Sequence, residues 1–244
     1  AAIYPDGIDG IDNSFGKNVL PIFLGLTADC TIATNASIEN GDFSYLITIR
    51  GPNEPMSCPA SALFGGRTLG SIPKLDGSDQ WPLDPAYFTD PTDPSSVKTV
   101  FPGVTMTNDV YDSASDAQFT LEMHFSGNAL YLPIQHTRFQ MTLESGQTGA
   151  IAGHISGIID PEDLTNEVAR IAGIFDSSFC DPNSPTLQSV LNQLRQASDI
   201  MIDGTQDPTK ECNGISIGLG FTMKSAKLGA IGPALAPPAD PCTP

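Results

Sequence analysis

The stretch Gly149-Ala150-Ile151-Ala152-Gly153-His154-Ile155-Ser156-Gly157-Ile158-Ile159 runs straight into Asp160-Pro161-Glu162-Asp163-Leu164. Its first half is apolar and small, bounded by turn residues, and reads as a strand over 149–159 with Ile151, Ile155 and Ile159 running along it. Its second half is a helix start: aspartate at the N-cap, proline at the first helical position, acids in the first turn. That helix is expected over 161–175, burying Leu164, Val168, Ile171 and Phe175. Ser184-Pro185 repeats the signal. Leu187, Leu191, Leu194 and Met201 then predict a second helix over 185–202, ended by Asp203-Gly204. A closing strand is expected over 215–227. Residues 149–230 thus read as the scaffold on which a looser first half is hung.

Upstream the pattern is strand. Phe119, Leu121, Met123 and Phe125 alternate with Thr120, Glu122 and His124. After a turn at Ser126-Gly127-Asn128, the apolar set falls on even positions at Leu130, Leu132 and Ile134, then on odd ones at Phe139, Met141 and Leu143. That change of parity over 133–136 predicts a bulge, or a strand leaving one sheet for another. Strands are also expected over 97–107 and 43–50. Near the N-terminus, Asp12, Asn13 or Ser14 can cap a helix carrying Phe15, Val19, Ile22, Phe23 and Leu26, with Pro21 breaking it into two pieces. A short helix over 30–38 stops at Asn40-Gly41. Residues 51–96 hold eight prolines, with short strands or extended loops over 62–69 and 81–88. The fold class is mainly β or α+β: an antiparallel β-sandwich or strongly bent sheet with the two late helices packed on it. Residues 1–244 are read as a single domain, with a helical lead-in over 1–42 and a Pro-rich tail over 232–244.

The chain has 244 residues and a formal charge of −17, from 11 basic and 28 acidic side chains. Such a surface repels phosphate backbones and anionic lipid, which argues against nucleic acid and polybasic membrane binding. No run approaches the roughly 18 to 20 apolar residues of a membrane-spanning helix. The cysteines are Cys30, Cys58, Cys180, Cys212 and Cys242, without a CxxC pair. Their wide spacing fits structural disulfides in an oxidising compartment. Cys180 and Cys212 flank the second helix and are the candidate bridge. The odd count leaves one cysteine over, or joined to another chain. The start Ala-Ala-Ile-Tyr is what signal-peptide cleavage leaves.

Gly214-Ile215-Ser216-Ile217-Gly218 is a literal G-x-S-x-G, but no helix is expected after it and all three histidines (His124, His136, His154) precede it. It reads as a turn opening a strand. The histidines fall on solvated strand faces, against a converging zinc set. Aspartate outnumbers glutamate by 21 to 7, an excess that suits turns, caps and calcium loops. The candidate calcium ligands are Asp6, Asp9, Asp12 and Asn13. Asp76 and Asp79 with Asp84, or Asp109 and Asp112 with Asp116, are alternatives. A ligand groove would display Trp81, Tyr87 or Tyr111. Asn35-Ala36-Ser37 is a glycosylation sequon.

Two segments, Asp6-Gly7-Ile8-Asp9-Gly10-Ile11-Asp12-Asn13-Ser14-Phe15-Gly16 and Cys212-Asn213-Gly214-Ile215-Ser216-Ile217-Gly218-Leu219-Gly220-Phe221, resemble uncharacterised secreted proteins or lipoproteins of myxobacterial type. The resemblance implies an extracytoplasmic location and no particular chemistry. The expectation is a secreted or cell-surface, disulfide-stabilised, non-catalytic structural or interaction protein that associates with itself or with another surface protein. A calcium-dependent carbohydrate-binding module or adhesin, with a glycan partner, is one alternative. A hydrolase with an unrecognised site is the other.

Overall fold

The computed structural model describes residues 13–26, 30–49, 61–113, 117–125, 128–205, 207–234 and 240–242. The architecture is α+β, mainly strand, with two sheets in a sandwich-like arrangement. The smaller sheet runs β1 (Ser44–Ile47), β2 (Ala62–Gly66), β3 (Gln80–Leu83) and β11 (Lys227–Ile231), with β4 (Thr99–Val100) on β2. Its β3–β11 pair is parallel; the other pairs are antiparallel. The larger, wholly antiparallel sheet runs β10 (Ile215–Lys224), β9 (Gly149–Ile159), β8 (Asn128–Leu143), β6 (Val110–Asp112) and β5 (Thr105–Thr107), with β7 (Ala117–Phe125) on β8.

The parity change in β8 is a bulge. Gln135 faces Ile158 and Arg138 faces Ser156, so β8 carries one residue more than β9; opposite β7 the register slips at the same place. The extra residue centres on His136, at φ +51. It keeps Leu130, Leu132 and Ile134 on the same buried face as Phe139, Met141 and Leu143. A second bulge lies at Ala152 (φ +49) in β9 and is felt by both β8 and β10. It turns Ile151 outward to 48% exposure, against the expectation that Ile151 runs inward with Ile155 and Ile159.

The late helices are α3 (Pro161–Ile171) and α4 (Pro185–Arg195). Asp160 Oδ1 accepts from the Glu162 amide at 2.8 Å, and Pro161 opens α3. Leu164, Val168 and Ile171 face β8, while α4 packs on α3 through Leu187, Leu191 and Leu194. Glu162 accepts two bonds from Arg195, at 2.7 and 3.0 Å, tying the start of α3 to the end of α4. The second helix ends seven residues short of expectation because Asp199 turns inward. Its carboxylate takes the Ser216 amide and hydroxyl at 2.8 and 2.5 Å, and its own amide donates to Gly214 O. With the Asp199 and Ile200 amides on Gly214 O, neither continues the helical ladder to a carbonyl four residues back. The closing strand breaks at Ser225-Ala226: β10 stays in the larger sheet and β11 crosses to the smaller one.

At the N-terminus, Asn13 Oδ1 accepts from the Gly16 amide at 2.8 Å. The segment Phe15–Val19 is widened into a π turn before α1 (Leu20–Leu26), where Pro21 lacks a donor. Phe15, Val19 and Phe23 join the main core. Helix α2 (Cys30–Asn40) ends in a Schellman turn: Gly41, at φ +81, donates to Ile38 O and Asp42 to Ser37 O. The expected strand over 97–107 is instead β4 and β5, parted by the turn at Pro102-Gly103.

Among the described residues strand β7 pairs with β8 on one side, and side-chain hydroxyls meet its other edge. Thr99 Oγ1 donates to Gln118 O (2.8 Å) and Tyr87 Oη to Thr120 O (3.3 Å). The Glu122 amide donates to Tyr45 Oη (2.5 Å) and the His124 amide to Thr34 Oγ1 (2.9 Å). An open strand edge is a template for unwanted pairing; here the smaller sheet and α2 cover it.

Candidate interaction face

The residues expected to form sites are largely held within the fold. Ser216 is 4% exposed: its hydroxyl donates to Asp199 and accepts from the Ser14 amide at 2.9 Å. Ser14 Oγ in turn donates to Ala197 O at 2.5 Å. This is a polar lock between the N-terminal segment, the loop after α4 and β10, with no room for a substrate. Trp81 (3% exposed) sits in the small core with Leu46, Phe64, Leu83 and Phe88. Tyr111 is fully buried and donates to Ser61 Oγ at 2.8 Å; burial pushes its hydroxyl up to about 12. Tyr87 is a β7 edge cap, and burial raises its pKa far above the ordinary tyrosine value. None of the three aromatics is displayed in a groove, because each fills a core or pairs with backbone.

Cys180 is bonded to Cys242, not to Cys212, which carries a free thiol. Of the calcium candidates, Asp6, Asp9 and Asp12 lie outside the described residues. Asn13 is a helix cap whose Nδ2 also donates to Gly218 O at 2.9 Å. Asp116 also lies outside them; Asp112 holds Arg138 and Gln140, and Asp84 caps a turn and pairs with Arg67. Among the described residues no three His, Cys, Asp or Glu side chains converge into a metal set. The histidines are apart in role. His124 bonds Glu122 at 2.9 Å and stacks on Phe43, His136 lines an open hollow of about 350 Å³ with Ala117, Gln118 and Gln135, and His154 is exposed on β9.

A different surface emerges from the apolar side chains left in water. Six of the seven exposed large hydrophobics among the described residues are Ile72, Leu75, Met106, Val110, Ile151 and Leu228; Leu24 is the other. The six flank four turns linked to one another by bonds or packing, although Met106, across from Tyr111, points to the opposite face of its sheet from Val110. The β5–β6 hairpin turns through Asn108 and Asp109, both at positive φ, and Asp109 O accepts from the Leu143 amide. The β8–β9 turn is closed by Glu144 N to Gly149 O. Gly149 pairs with Lys224, Lys224 Nζ reaches Glu144 at 2.9 Å, and the Ser225 amide donates to Thr148 O. Ser225 Oγ lies 2.9 Å from where a Cβ on Gly77 would stand, so the 67–79 loop packs on the β10–β11 turn, and φ +86 favours glycine at that position.

That loop is fixed at its base and apolar at its tip. Pro73 is buried against Gly41, and the Leu69 amide donates to Gly41 O. Asp79, 8% exposed, accepts from the Lys74 and Leu75 amides at 3.0 and 2.7 Å, and its carbonyl takes the Lys227 amide. Leu75 is thereby held at φ +58, a conformation that costs a leucine roughly 1–2 kcal/mol. The loop presents Leu75 at 55% exposure and Ile72 at 76%. On the larger sheet, Val110, Thr142 and Ile151 stand directly across β6, β8 and β9 on the face opposite the buried Tyr111, Met141 and Ala150. Lys74, Lys224 and Lys227 share this end with Asp42, Asp76, Asp109 and Glu144. The Ser78 hydroxyl and amide hold the Asp76 carboxyl below its usual range.

The sequence signals for this face were the irregular 51–96 segment and its aliphatic-proline run Ile72-Pro73-Lys74-Leu75. Ile151 and Val110 gave none, since both fit a strand. The fold and this face define an acidic, disulfide-stapled α+β sandwich with an aliphatic end. No protein-family model, no curated protein and no solved structure matches the chain.

Proposed function

We propose that the protein is a non-catalytic extracellular interaction protein that docks through this aliphatic end. The observation that carries the reading is the exposure of Ile72 and Leu75 on a loop fastened by a buried carboxylate. Single exposed hydrophobics are ordinary, whereas two aliphatics held out on one fixed loop, Leu75 in a left-handed conformation, favour a contact surface. Fully burying an aliphatic side chain of this size is worth about 1.5–3 kcal/mol, and a rigid loop loses little conformational freedom when it docks. The Cys180–Cys242 bond supports a secreted or cell-surface location, because such bonds persist in oxidising compartments. Titrating labelled protein onto intact cells and cell envelopes of the encoding organism tests the reading. Saturable binding should fall at least about tenfold in an Ile72→Asp, Leu75→Asp variant that keeps its near-ultraviolet circular dichroism. Equal binding by that variant overturns the proposal.

A further inference from the structure

We infer that the hollow beside His136 is a binding site for a neutral saccharide, held by the Gln118 and Gln135 amides and the His136 imidazole. The site is independent of the 67–79 loop. It holds about 350 Å³ and is lined by Ala117, Gln118, Gln135 and His136. In a regular strand, neighbours in sequence point to opposite faces, so Gln135 and His136 could not line one space. The bulge lets them. Between the pairs Ala117–Thr137 and Phe119–Ile134, β7 places one residue, Gln118, while β8 places two, Gln135 and His136. Three polar side chains thereby meet where the register slips, and bulges commonly re-aim side chains into sites in this way.

Keeping the apolar residues of β8 on one face does not call for an imidazole. At φ +51, glycine or asparagine would form the same bulge with less strain. Strained backbone gathers at ligand sites. The ring is also flanked: a Cβ on Gly204 would stand 3.9 Å from His136 Cγ, so the Asp203-Gly204 turn lies beside it. The lining selects the class of ligand. Each glutamine amide offers two donors and an acceptor oxygen, and the imidazole adds ring nitrogens that donate or accept. Among the described residues, neither glutamine side chain is bonded to protein. Adjacent hydroxyls, which both donate and accept, match such groups, whereas an apolar ligand would leave them unpaired. An anion fits less well on a chain of −17 with Asp203 in the turn beside the ring. The volume lies at the small end of ligand sites, which run from about 300 to 1,000 Å³, and suits a terminal sugar with the rest of its chain in water.

An array of neutral hexose and N-acetylhexosamine glycans beside sialylated and sulfated ones, probed with the whole chain, tests this. Calorimetric titration with the captured neutral oligosaccharide follows. The expected result is selective capture of neutral glycans, reproduced in solution. Gln118→Ala and Gln135→Ala should each weaken it about fivefold or more, one hydrogen bond apiece. His136→Gly suits the backbone of the bulge, so it should weaken binding at least about tenfold while the urea midpoint holds or rises. Leu24→Asp, on α1, leaves binding unchanged. Capture of no neutral glycan overturns the site. Neutral-glycan binding that survives His136→Gly and both glutamine variants also overturns it, by placing the saccharide elsewhere. Capture of acidic glycans alone overturns the neutral class.

Discussion

Ala152 stands at φ +49 within β9 and is solvent-exposed. A left-handed conformation costs an L-residue about 1–2 kcal/mol, while glycine adds about 0.5–1 kcal/mol of unfolded-state entropy to be lost. Ala152→Gly should therefore stabilise the protein by about 0.5–1 kcal/mol in urea denaturation, and a destabilisation of that size would show that the bulge is not strained. Ser216 makes the opposite case. Ser216→Ala strips the hydroxyl donor from a buried carboxylate and the acceptor from the Ser14 amide, and should cost about 2–3 kcal/mol. A neutral result would dismiss the polar lock. Single residues also mark where the sequence was legible. The bulge at His136 could be read because it breaks a long apolar alternation, even positions before and odd positions after. The bulge at Ala152 could not, because Ala150, Ala152 and Gly153 give no phase to break, and Ile151 looked inward. The aspartate excess was legible as turn chemistry. Asp90, Asp93, Asp176, Asp181, Asp203 and Asp207 each accept from the amide two residues on.

Among the elements, β9 and the start of α3 follow from local chemistry alone, since an apolar run bounded by turn residues, an N-cap, a proline and first-turn acids agree. The end of α4 does not, because it depends on a strand that returns seventeen residues later to claim Asp199. The disulfide was beyond local reading for the same reason. Cys180 and Cys242 are 62 residues apart, and their meeting depends on where β11 sends the chain. A cross-link closing a loop of this length is worth about 4 kcal/mol on the chain-entropy account. Cys180→Ser with Cys242→Ser should lower stability by roughly that amount, and Cys212→Ser should leave it unchanged. A double variant as stable as the parent in calorimetry would mean that the bond closes on an already ordered chain. Gly173 offers a gentler probe. A Cβ there would stand 2.6 Å from both sulfurs, so Gly173→Ala should slow formation of the bond in refolding assays by thiol titration.

For the molecule as a whole, acid stability follows from its turns. The carboxyls of Asp76, Asp90, Asp203 and Asp207 are held below their ordinary range by the hydroxyl and amide two residues on. At Asp176 the amide is the larger cause, and at Glu162 it is Arg195. Depressed values in the folded state give stability that is present above the unfolded values, about 4, and lost as pH falls through the folded ones. Asp163, raised by burial, has the opposite sign but is one group against six. The melting temperature should stay level or rise slightly from pH 7 to 5, as repulsion among acids eases, then fall below about pH 4. A steady fall between pH 7 and 5 would contradict this. The sandwich was legible at this scale, because strand alternation and late amphipathic helices leave few other arrangements. The aliphatic end was not, since it is made by turns distant in sequence. The edge of β7 has a consequence in time as well as in space. Thr34, Tyr45, Tyr87 and Thr99, whose hydroxyls meet that edge, all precede Ala117 in the chain. During synthesis from the N-terminus the hydroxyls emerge before the strand they satisfy, so the partners of two carbonyls and two amides on this edge are already made when β7 appears.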